Sequence, residues 1–209
     1  DANNGQPNPA IGDGVDKLWN VEVLRFADME VDLRTDPAAN GVVMGTAGDD
    51  VLLGSNGPDV VFAGAGNDTI NGLAGNDLIF AEAGSDTITW DAPNGGYDVV
   101  AGHGFVNDGG TDMLIINGDG TEDGFTMYTV AAWATAGGAQ PLDPLSEIII
   151  TRTVGGVETA IMEIRGIEEI TLNGVQGIET INAIGDFTLT SLAPNTIYVN
   201  GTAGDEVID

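Results

Sequence analysis

The sequence predicts an all-β protein built as a parallel solenoid, and three observations lead to that prediction. A nine-residue unit recurs five times in succession between Gly45 and Thr89. Glycine is abundant, at 32 of 209 residues, which supplies tight turns between short strands. Hydrophobic residues make up 42% of the chain, enough for a core, whereas disordered acidic chains combine low hydrophobicity with high charge.

The repeat unit divides into a turn and a short strand. The five units read GTAGDDVLL, GSNGPDVVF, AGAGNDTIN, GLAGNDLIF and AEAGSDTIT, with Gly fourth, Asp sixth and a branched aliphatic residue eighth in every one. Gly tolerates the positive φ values that a tight turn requires, so we expect the first six residues to form that turn. We expect the last three to form a strand whose central side chain points inward. Stacked units then build a continuous core that one unit alone cannot build.

The spacing of the aspartates predicts rows of carboxylates. If two units complete one coil, aspartates 18 residues apart lie on the same edge of adjacent coils. This arrangement pairs Asp50 with Asp68, Asp59 with Asp77, and Asp68 with Asp86. Carboxylates only a few ångströms apart cannot all stay ionised without a bound cation, because each disfavours the charge of its neighbour.

The ligand chemistry of the turns indicates calcium as the cofactor. Calcium accepts six to eight oxygen ligands in flexible geometry, whereas magnesium requires a stricter octahedron and retains its waters. The repeats contain no His or Cys, which disfavours zinc. The candidate ligands are the aspartates and the residues that supply turn carbonyls: Asp50, Asp59, Asp68, Asp77, Asp86, Gly48, Gly57, Gly66, Gly75, Gly84, Asn56, Ala65, Ala74 and Ala83.

The array resembles the RTX (repeats-in-toxin, haemolysin-type) family, whose nonapeptide is Gly-Gly-x-Gly-x-Asp-x-aliphatic-x. The resemblance implies a calcium-loaded parallel β-roll over residues 45–89. It also implies a module of a larger secreted bacterial protein that leaves by type I secretion and folds on calcium outside the cell or at its surface. Ala63, Ala81 and Glu82 depart from the glycines of the pattern. We therefore expect the fifth unit either to cap the roll or to bind calcium weakly.

Three further segments surround the array. Residues 1–44 are predicted to form an N-terminal β cap, with a strand pair between Asp16 and Leu33 packed against the end of the roll. Residues 90–200 are predicted to form a β-rich flanking domain with a helix over Tyr128–Ala136, and a hairpin of Glu147–Thr153 with Glu158–Arg165. Residues 201–209 read GTAGDEVID and copy the opening unit, so they predict the start of a second RTX array.

The flank from residue 85 to residue 209 resembles the C-terminal extension of large bacterial secreted haem peroxidases of the animal type, in phrases such as TITWDAP, EIIITR and IEEITLN. That resemblance implies that the parent protein is a peroxidase, with this part a non-catalytic extension. We expect no enzymatic activity here, because His103 is the only histidine and haem peroxidase chemistry requires separate proximal and distal groups. We interpret His103 as a solvent-facing turn residue.

The charge of the chain excludes several classes of partner. With 33 acidic and 5 basic residues, a net charge of -28 opposes binding to nucleic acids and to anionic membranes. No segment is apolar enough for membrane insertion, and the chain opens without Met, so we expect an interior piece of a longer protein.

A different class of function remains open beside the calcium-binding module. An adhesin or glycan-binding module would need a neutral glycan or a calcium-bridged contact, because five basic residues cannot form a stripe for an acidic polysaccharide. Exposed strand edges predict self-association or contact with neighbouring repeat domains of the same chain.

Overall fold

The computed structural model describes residues 23–25, 30–32, 41–103, 109–121, 124–173, 180–192 and 196–200. These residues form an all-β fold, and strands account for 52% of them. Within this described part lie one short α-helix, α1 (Val130–Thr135), and one 3-10 helix (Phe187–Leu189). No helix of these residues is long and apolar enough to cross a membrane.

The strands are numbered in chain order. They are β1 (Val23–Arg25), β2 (Glu30–Asp32), β3 (Val42–Met44), β4 (Val51–Ser55), β5 (Val60–Phe62), β6 (Thr69–Leu73), β7 (Leu78–Glu82), β8 (Thr87–Asp91), β9 (Asp98–His103), β10 (Met113–Asn117), β11 (Gly124–Thr129), β12 (Ile148–Val154), β13 (Val157–Arg165), β14 (Glu169–Asn173), β15 (Thr180–Ile184) and β16 (Ile197–Asn200).

Two large sheets enclose a shared core. One has six parallel strands in the order β16-β14-β10-β8-β6-β4, and the other has eight in the order β15-β11-β12-β13-β9-β7-β5-β3. From β3 to β10, consecutive strands alternate between the two sheets. Each coil therefore contributes one strand to each sheet, which is the parallel β-roll that the repeat predicts.

The register of the strands confirms that one coil consists of two nonapeptides. Val51 of β4 pairs with Thr69 of β6, and Val60 of β5 pairs with Leu78 of β7, so each residue lies beside its equivalent in the next coil. Past the array the register persists while the loops lengthen. Met113 of β10 pairs with Thr87 of β8 across a longer connection.

The core is a column of aliphatic side chains contributed by the eighth position of each unit. Leu52, Val61, Ile70, Ile79 and Ile88 are each at most 8% exposed. In the same register, Val100, Leu114 and Ile170 extend the column beyond the repeats, and all three are buried. Burial of one such side chain contributes about 1.5–3 kcal/mol, so the stack supplies the main favourable free energy of the roll.

One antiparallel strand, β12, interrupts the parallel order of the eight-stranded sheet. Strand β12 pairs antiparallel with both β11 and β13, and β13 then returns to pair in parallel with β9. The β12–β13 hairpin agrees with the sequence prediction. Its turn residues Gly155 and Gly156 have φ values of 58° and 75°, the positive values that a tight two-residue hairpin turn requires.

The helix is shorter than the sequence predicts. It covers Val130–Thr135 rather than Tyr128–Ala136, because Tyr128 and Thr129 complete β11 and pair with β12. The Thr129 hydroxyl accepts a hydrogen bond from the Ala132 N–H at 3.3 Å, which caps the first turn of the helix. Strand pairing on both sides of β11 thus outweighs the helical propensity of these two residues.

A ladder of amide side chains runs along the six-stranded sheet. Asn117 donates to Asp91 at 2.7 Å, Asn173 donates to Asn117 at 3.1 Å, and Asn200 donates to Asn173 at 2.9 Å. Because these residues share a register position, the side-chain contacts repeat from rung to rung, as in other stacked parallel sheets. The six-stranded sheet therefore continues beyond residue 90, which the sequence predicts as the first residue after the roll.

Near the N-terminus, β1 and β2 form an antiparallel pair, as the alternating pattern predicts. The predicted packing of this pair against the roll involves side chains outside the described residues. The predicted second array at 201–209 lies outside them as well.

Because the core continues past the repeats, buried residues beyond the array should also contribute to the free energy of unfolding. We expect Leu114→Ala to destabilise the calcium-loaded protein by roughly 2–5 kcal/mol, because it removes a buried side chain and leaves a cavity. The matched variant Leu53→Ala, at a side chain that is 59% exposed, should change the free energy of unfolding much less. Urea denaturation in saturating calcium measures both. Equal losses would contradict a core that extends to β10.

Candidate metal centre

Hydrogen bonds from backbone to aspartate fasten each coil to the next. The Asp50 N–H donates to Asp68 Oδ1 at 2.8 Å, and the Asp68 N–H donates to Asp86 Oδ1 at 2.7 Å. On the opposite turn the Asp59 N–H donates to Asp77 Oδ1 at 2.9 Å. The structure thus brings together the aspartates that the 18-residue spacing pairs, and one oxygen of each later partner binds the backbone of the coil before it.

Both rows continue into residues that the sequence analysis did not select. The Asp77 N–H donates to Asp98, 21 residues further along, and the Asp86 N–H donates to Asp112, 26 residues along. The Asp112 N–H in turn donates to Glu168 at 2.8 Å. The row through Asp50 and the row through Asp59 are called here the first and second carboxylate columns.

A sequence signal for these additional rungs exists. Gly96, Asp98 and Val100 repeat the Gly-x-Asp-x-aliphatic spacing of the array. Gly110-Thr-Asp112 with Leu114, and Gly166-Ile-Glu168 with Ile170, show the same spacing. Loop insertions between the rungs break the nine-residue period, so a search by period alone misses them.

The second carboxylate oxygen distinguishes two kinds of turn. In the first unit Asp50 Oδ2 accepts from the Thr46 N–H at 2.6 Å, and in the second unit Asp59 Oδ2 accepts from the Ser55 N–H. In the third and fourth units, Asp68 Oδ2 and Asp77 Oδ2 are buried and have no hydrogen-bond partner. Both of these residues are 1% exposed.

The backbone at the second position of the unit accounts for the difference. It is left-handed in the last three units, with φ of 106° at Gly64, 71° at Leu73 and 75° at Glu82. The equivalent Thr46 and Ser55 have no such conformation and donate their N–H to the aspartate. The left-handed turns therefore leave a buried carboxylate oxygen that nothing in the turn satisfies.

The first position of the fourth unit shows how closely the carboxylate approaches the backbone. A Cβ atom at Gly72 would lie 2.1 Å from Asp77 Oδ2. Only a residue without a side chain leaves room for this oxygen, so the turn is shaped around it.

Burial opposes ionisation of these groups. Burial raises the pKa of Asp68, raises that of Asp77 to about 7 and raises that of Asp98 to about 9. In each case the carboxylate one coil earlier increases the pKa further by charge repulsion. A cation placed beside these oxygens would reverse both effects, which is the chemistry of a hard-cation site.

The donor set fits calcium when backbone oxygens complete it. Among the described residues, no three Asp, Glu or His side chains form a group that would hold a metal by themselves. Asp68 and Asp77 would therefore hold an ion together with carbonyls of their turns. Oxygen-only ligands with few carboxylates and a flexible backbone cradle favour calcium over magnesium or zinc.

The remaining predicted ligands differ in their surroundings. Asp59 and Asp86 are buried, whereas Asp50 is only half-buried. Gly66, Gly75 and Gly84 have positive φ values, whereas the described residues Gly48 and Gly57 do not. Ala65 and Ala83 pair as an isolated bridge, the Ala74 N–H donates to the Ser55 carbonyl, and Asn56 is exposed. The geometry is thus most favourable for an ion in the third and fourth units.

Outside the columns, charged residues have structural contacts. Asp119 pairs with Arg152 at 2.9 Å, and Asp143 pairs with Arg165 at 2.7 Å. The interpretation of His103 as a turn residue is wrong. It ends strand β9 and pairs in parallel with Glu82, and its carbonyl accepts from Arg165 at 3.1 Å.

The left-handed backbone conformation of Leu73 leads to a prediction about strain in its turn. A left-handed conformation costs a residue with a side chain roughly 1–2 kcal/mol, and glycine avoids this cost. We expect Leu73→Gly to stabilise the calcium-loaded roll by roughly 0.5–1 kcal/mol after the added flexibility of the unfolded chain is included. Leu53→Gly, in an extended strand, is the control and should destabilise. Chemical denaturation measures both, and a destabilised Leu73→Gly would contradict the proposed turn geometry.

The raised pKa values predict how pH affects the calcium-free protein. A group whose pKa is higher in the folded state stabilises that state below its unfolded pKa, and this stabilisation is lost as pH rises through the folded pKa. With pKa values of about 7 for Asp77 and about 9 for Asp98, β structure or stability should increase on acidification from about pH 9 to pH 5. Circular dichroism of calcium-free protein measures this.

The control for that experiment is the double variant Asp77→Asn/Asp98→Asn. Its pH dependence should be flatter than that of the unmodified chain, although both share the remaining acidic residues. An identical pH dependence would show that other carboxylates cause the effect. Calcium affinity should change in the opposite sense and fall on acidification, because protons compete with the ion.

Comparison with known proteins agrees with this geometry. The family model of the RTX calcium-binding nonapeptide repeat, in four copies, matches residues 39–70 and 53–88. No curated protein matches the chain. The resemblance of residues 85–209 to a haem peroxidase extension has no support from these comparisons and stays a prediction. The matched residues extend from β3 into β8 and include the turns of Asp68 and Asp77. The chain therefore carries, over residues 39–88, an array of RTX calcium-binding nonapeptide repeats.

Proposed function

We propose that this chain is a calcium-dependent folding module of a larger secreted protein, in which the ions complete the turns of the roll. The main support for this proposal is that two buried carboxylate oxygens, Asp68 Oδ2 and Asp77 Oδ2, lack hydrogen-bond partners. A buried polar group without a partner costs roughly 1–3 kcal/mol and a buried charge costs more, so a bound cation has a large effect on the folded state.

Calcium binding controls folding in this proposal through linkage. Each ion binds the folded coil and not the unfolded chain, so it adds about 2.7 kcal/mol when its concentration is one hundred times its Kd. The chain carries a net charge of -28, which opposes compaction in the absence of cations. Calcium-poor cytosol would keep the chain unfolded, and calcium-rich surroundings outside the cell would fold it.

The resemblance to the RTX family supports the cellular part of the proposal. Type I secretion passes an unfolded chain directly to the exterior, which suits a module that folds only where calcium is abundant. We also propose that the module has no catalytic activity of its own and serves as a structural or connecting part of its parent protein.

Isothermal titration calorimetry of chelator-treated protein tests the binding step. We expect calcium to bind and magnesium to compete poorly, because the backbone cradle suits a larger cation with more oxygen ligands. Asp77→Asn should weaken calcium binding, since the amide keeps the hydrogen bond to Asp59 and removes the charge.

Asp186→Asn is the matched control. Asp186 caps the 3-10 helix at the surface and belongs to neither carboxylate column, so the same change of charge there should leave calcium affinity unaltered. No calcium binding by the unmodified chain would refute the proposal. Equal losses in the two variants would indicate a general charge effect and not a defined site.

A binding module is the second candidate, and one cavity favours it. A cavity of about 450 Å³ lies between the loop after β8 and the β12–β13 hairpin, lined by Trp90, Tyr97, Arg152, Val157, Thr159 and Ile161. Aromatic and apolar walls with a few polar groups are typical of sites for small neutral ligands such as a glycan unit. A glycan array in calcium tests this, with Thr159→Val as the variant that should lose any signal.

A further inference from the structure

We propose that residues 93–101 form a sixth calcium-binding unit, in which Asp98 takes the role of the repeat aspartate and an ion lies between its turn and that of Asp77. The proposal rests on the proposed calcium-binding function and extends it beyond residue 88, where the match to the RTX repeat ends.

Residues 93–101 match the units of the array position by position. In PNGGYDVVA, Gly96 is fourth, Asp98 is sixth and Val100 is eighth, as in each unit of the array. Val99 pairs with Leu78 and Val100 pairs with Ile79, so the strand of this unit lies in register with that of the fourth unit. A three-residue insertion, 90–92, separates it from the fifth unit, which accounts for its absence from the nine-residue period.

The turn of this unit also stacks on the preceding turn. The Gly75 N–H donates to the Asn94 carbonyl at 3.3 Å, and the Tyr97 N–H donates to Asn76 Oδ1 at 3.0 Å. A Cβ atom on Gly96 would lie 1.7 Å from the Gly75 carbonyl oxygen, an approach as close as that of Gly84 to Gly66 within the array.

The carboxylates of Asp98 and Asp77 are both buried. Asp98 is 3% exposed and accepts the Asp77 N–H at 2.9 Å. Asp77 is 1% exposed, and its other oxygen has no hydrogen-bond partner. Two carboxylates buried in adjacent turns, one with an unsatisfied oxygen, can stay ionised together only beside a positive charge, and the turns themselves contain none.

The second carboxylate column ends at this position. In the next rung, the residue in register with Asp98 is Met162, which is fully buried and cannot act as an oxygen ligand through its side chain. The ion between the turns of Asp77 and Asp98 would therefore be the last one in this column.

This location connects the calcium sites to the hairpin part of the fold. Tyr97 lies directly before Asp98 and hydrogen-bonds to Glu163 of β13. Glu163 is fully buried and accepts from the Leu142 N–H and the Ser146 hydroxyl, both at 2.8 Å. An ion that orders the turn at Asp98 would thereby also order the loop that precedes β12.

Equilibrium dialysis against calcium tests the proposal by counting bound ions. Asp98→Asn should bind about one calcium ion fewer per chain than the unmodified protein, because the amide keeps the hydrogen bond to Asp77 but not the charge. Asp186→Asn should bind the same number as the unmodified protein. An undiminished count in Asp98→Asn would overturn the proposal. Absence of calcium from the unmodified protein would instead refute the proposed function itself.

Terbium luminescence supplies a second measurement that leaves Asp98 intact. Residues 45–89 contain no Trp or Tyr, whereas Trp90 and Tyr97 line one cavity next to the sixth unit, so these two residues are placed to sensitise an ion there. With Trp90→Phe/Tyr97→Phe, terbium emission excited through aromatic side chains should be lost in large part while the number of bound ions stays the same. Unchanged emission in this double variant would contradict an ion beside these residues, even if Asp98→Asn failed to fold.

Discussion

The hydrogen bond from a backbone N–H to the buried carboxylate of the next coil holds successive turns of the roll together. It sets the distance between coils on the turn side, as strand pairing does within the sheets. Because it uses only one oxygen of each aspartate, it leaves the second oxygen to be satisfied by the turn or by an ion. The array contains both solutions, in the Ser55–Asp59 turn and in the Asp77 turn.

This interaction also explains why a strongly acidic chain can form a compact roll. Carboxylates are placed in the interior of the turns, where backbone N–H groups donate to them and where a calcium ion would bind, and the aliphatic column remains free of charge. The two arginine pairs, Arg152–Asp119 and Arg165–Asp143, support the loops of the flanking part and not the array. In the proposed function, calcium would neutralise the carboxylates of the turns, which contain no basic side chain.

The sequence predicted the array well because its period is strict. Gly, Asp and an aliphatic residue recur at fixed spacing, and the register of β4, β6 and β8 follows directly from it. The rungs at Asp98, Asp112 and Glu168 keep the same local pattern, but insertions of varied length between them hide the period. The end of β11 differs from the sequence prediction for another reason, because pairing with β12 outweighs the local helical preference of Tyr128. The left-handed Leu73 could not be predicted, since rules of local conformation assign that position to glycine.

The array and the hairpin part share one core and one sheet, so the state of the turns affects both. Val100 and Leu114 pack in the same cluster as the repeat aliphatics Ile79 and Ile88. We infer that at neutral pH the coils close only when a cation neutralises the buried carboxylates. Far-UV circular dichroism of chelator-treated protein during a calcium titration tests this inference. We expect little β structure in chelator and a cooperative gain as calcium is added. Full β structure in chelator at neutral pH, unchanged by calcium, would contradict it.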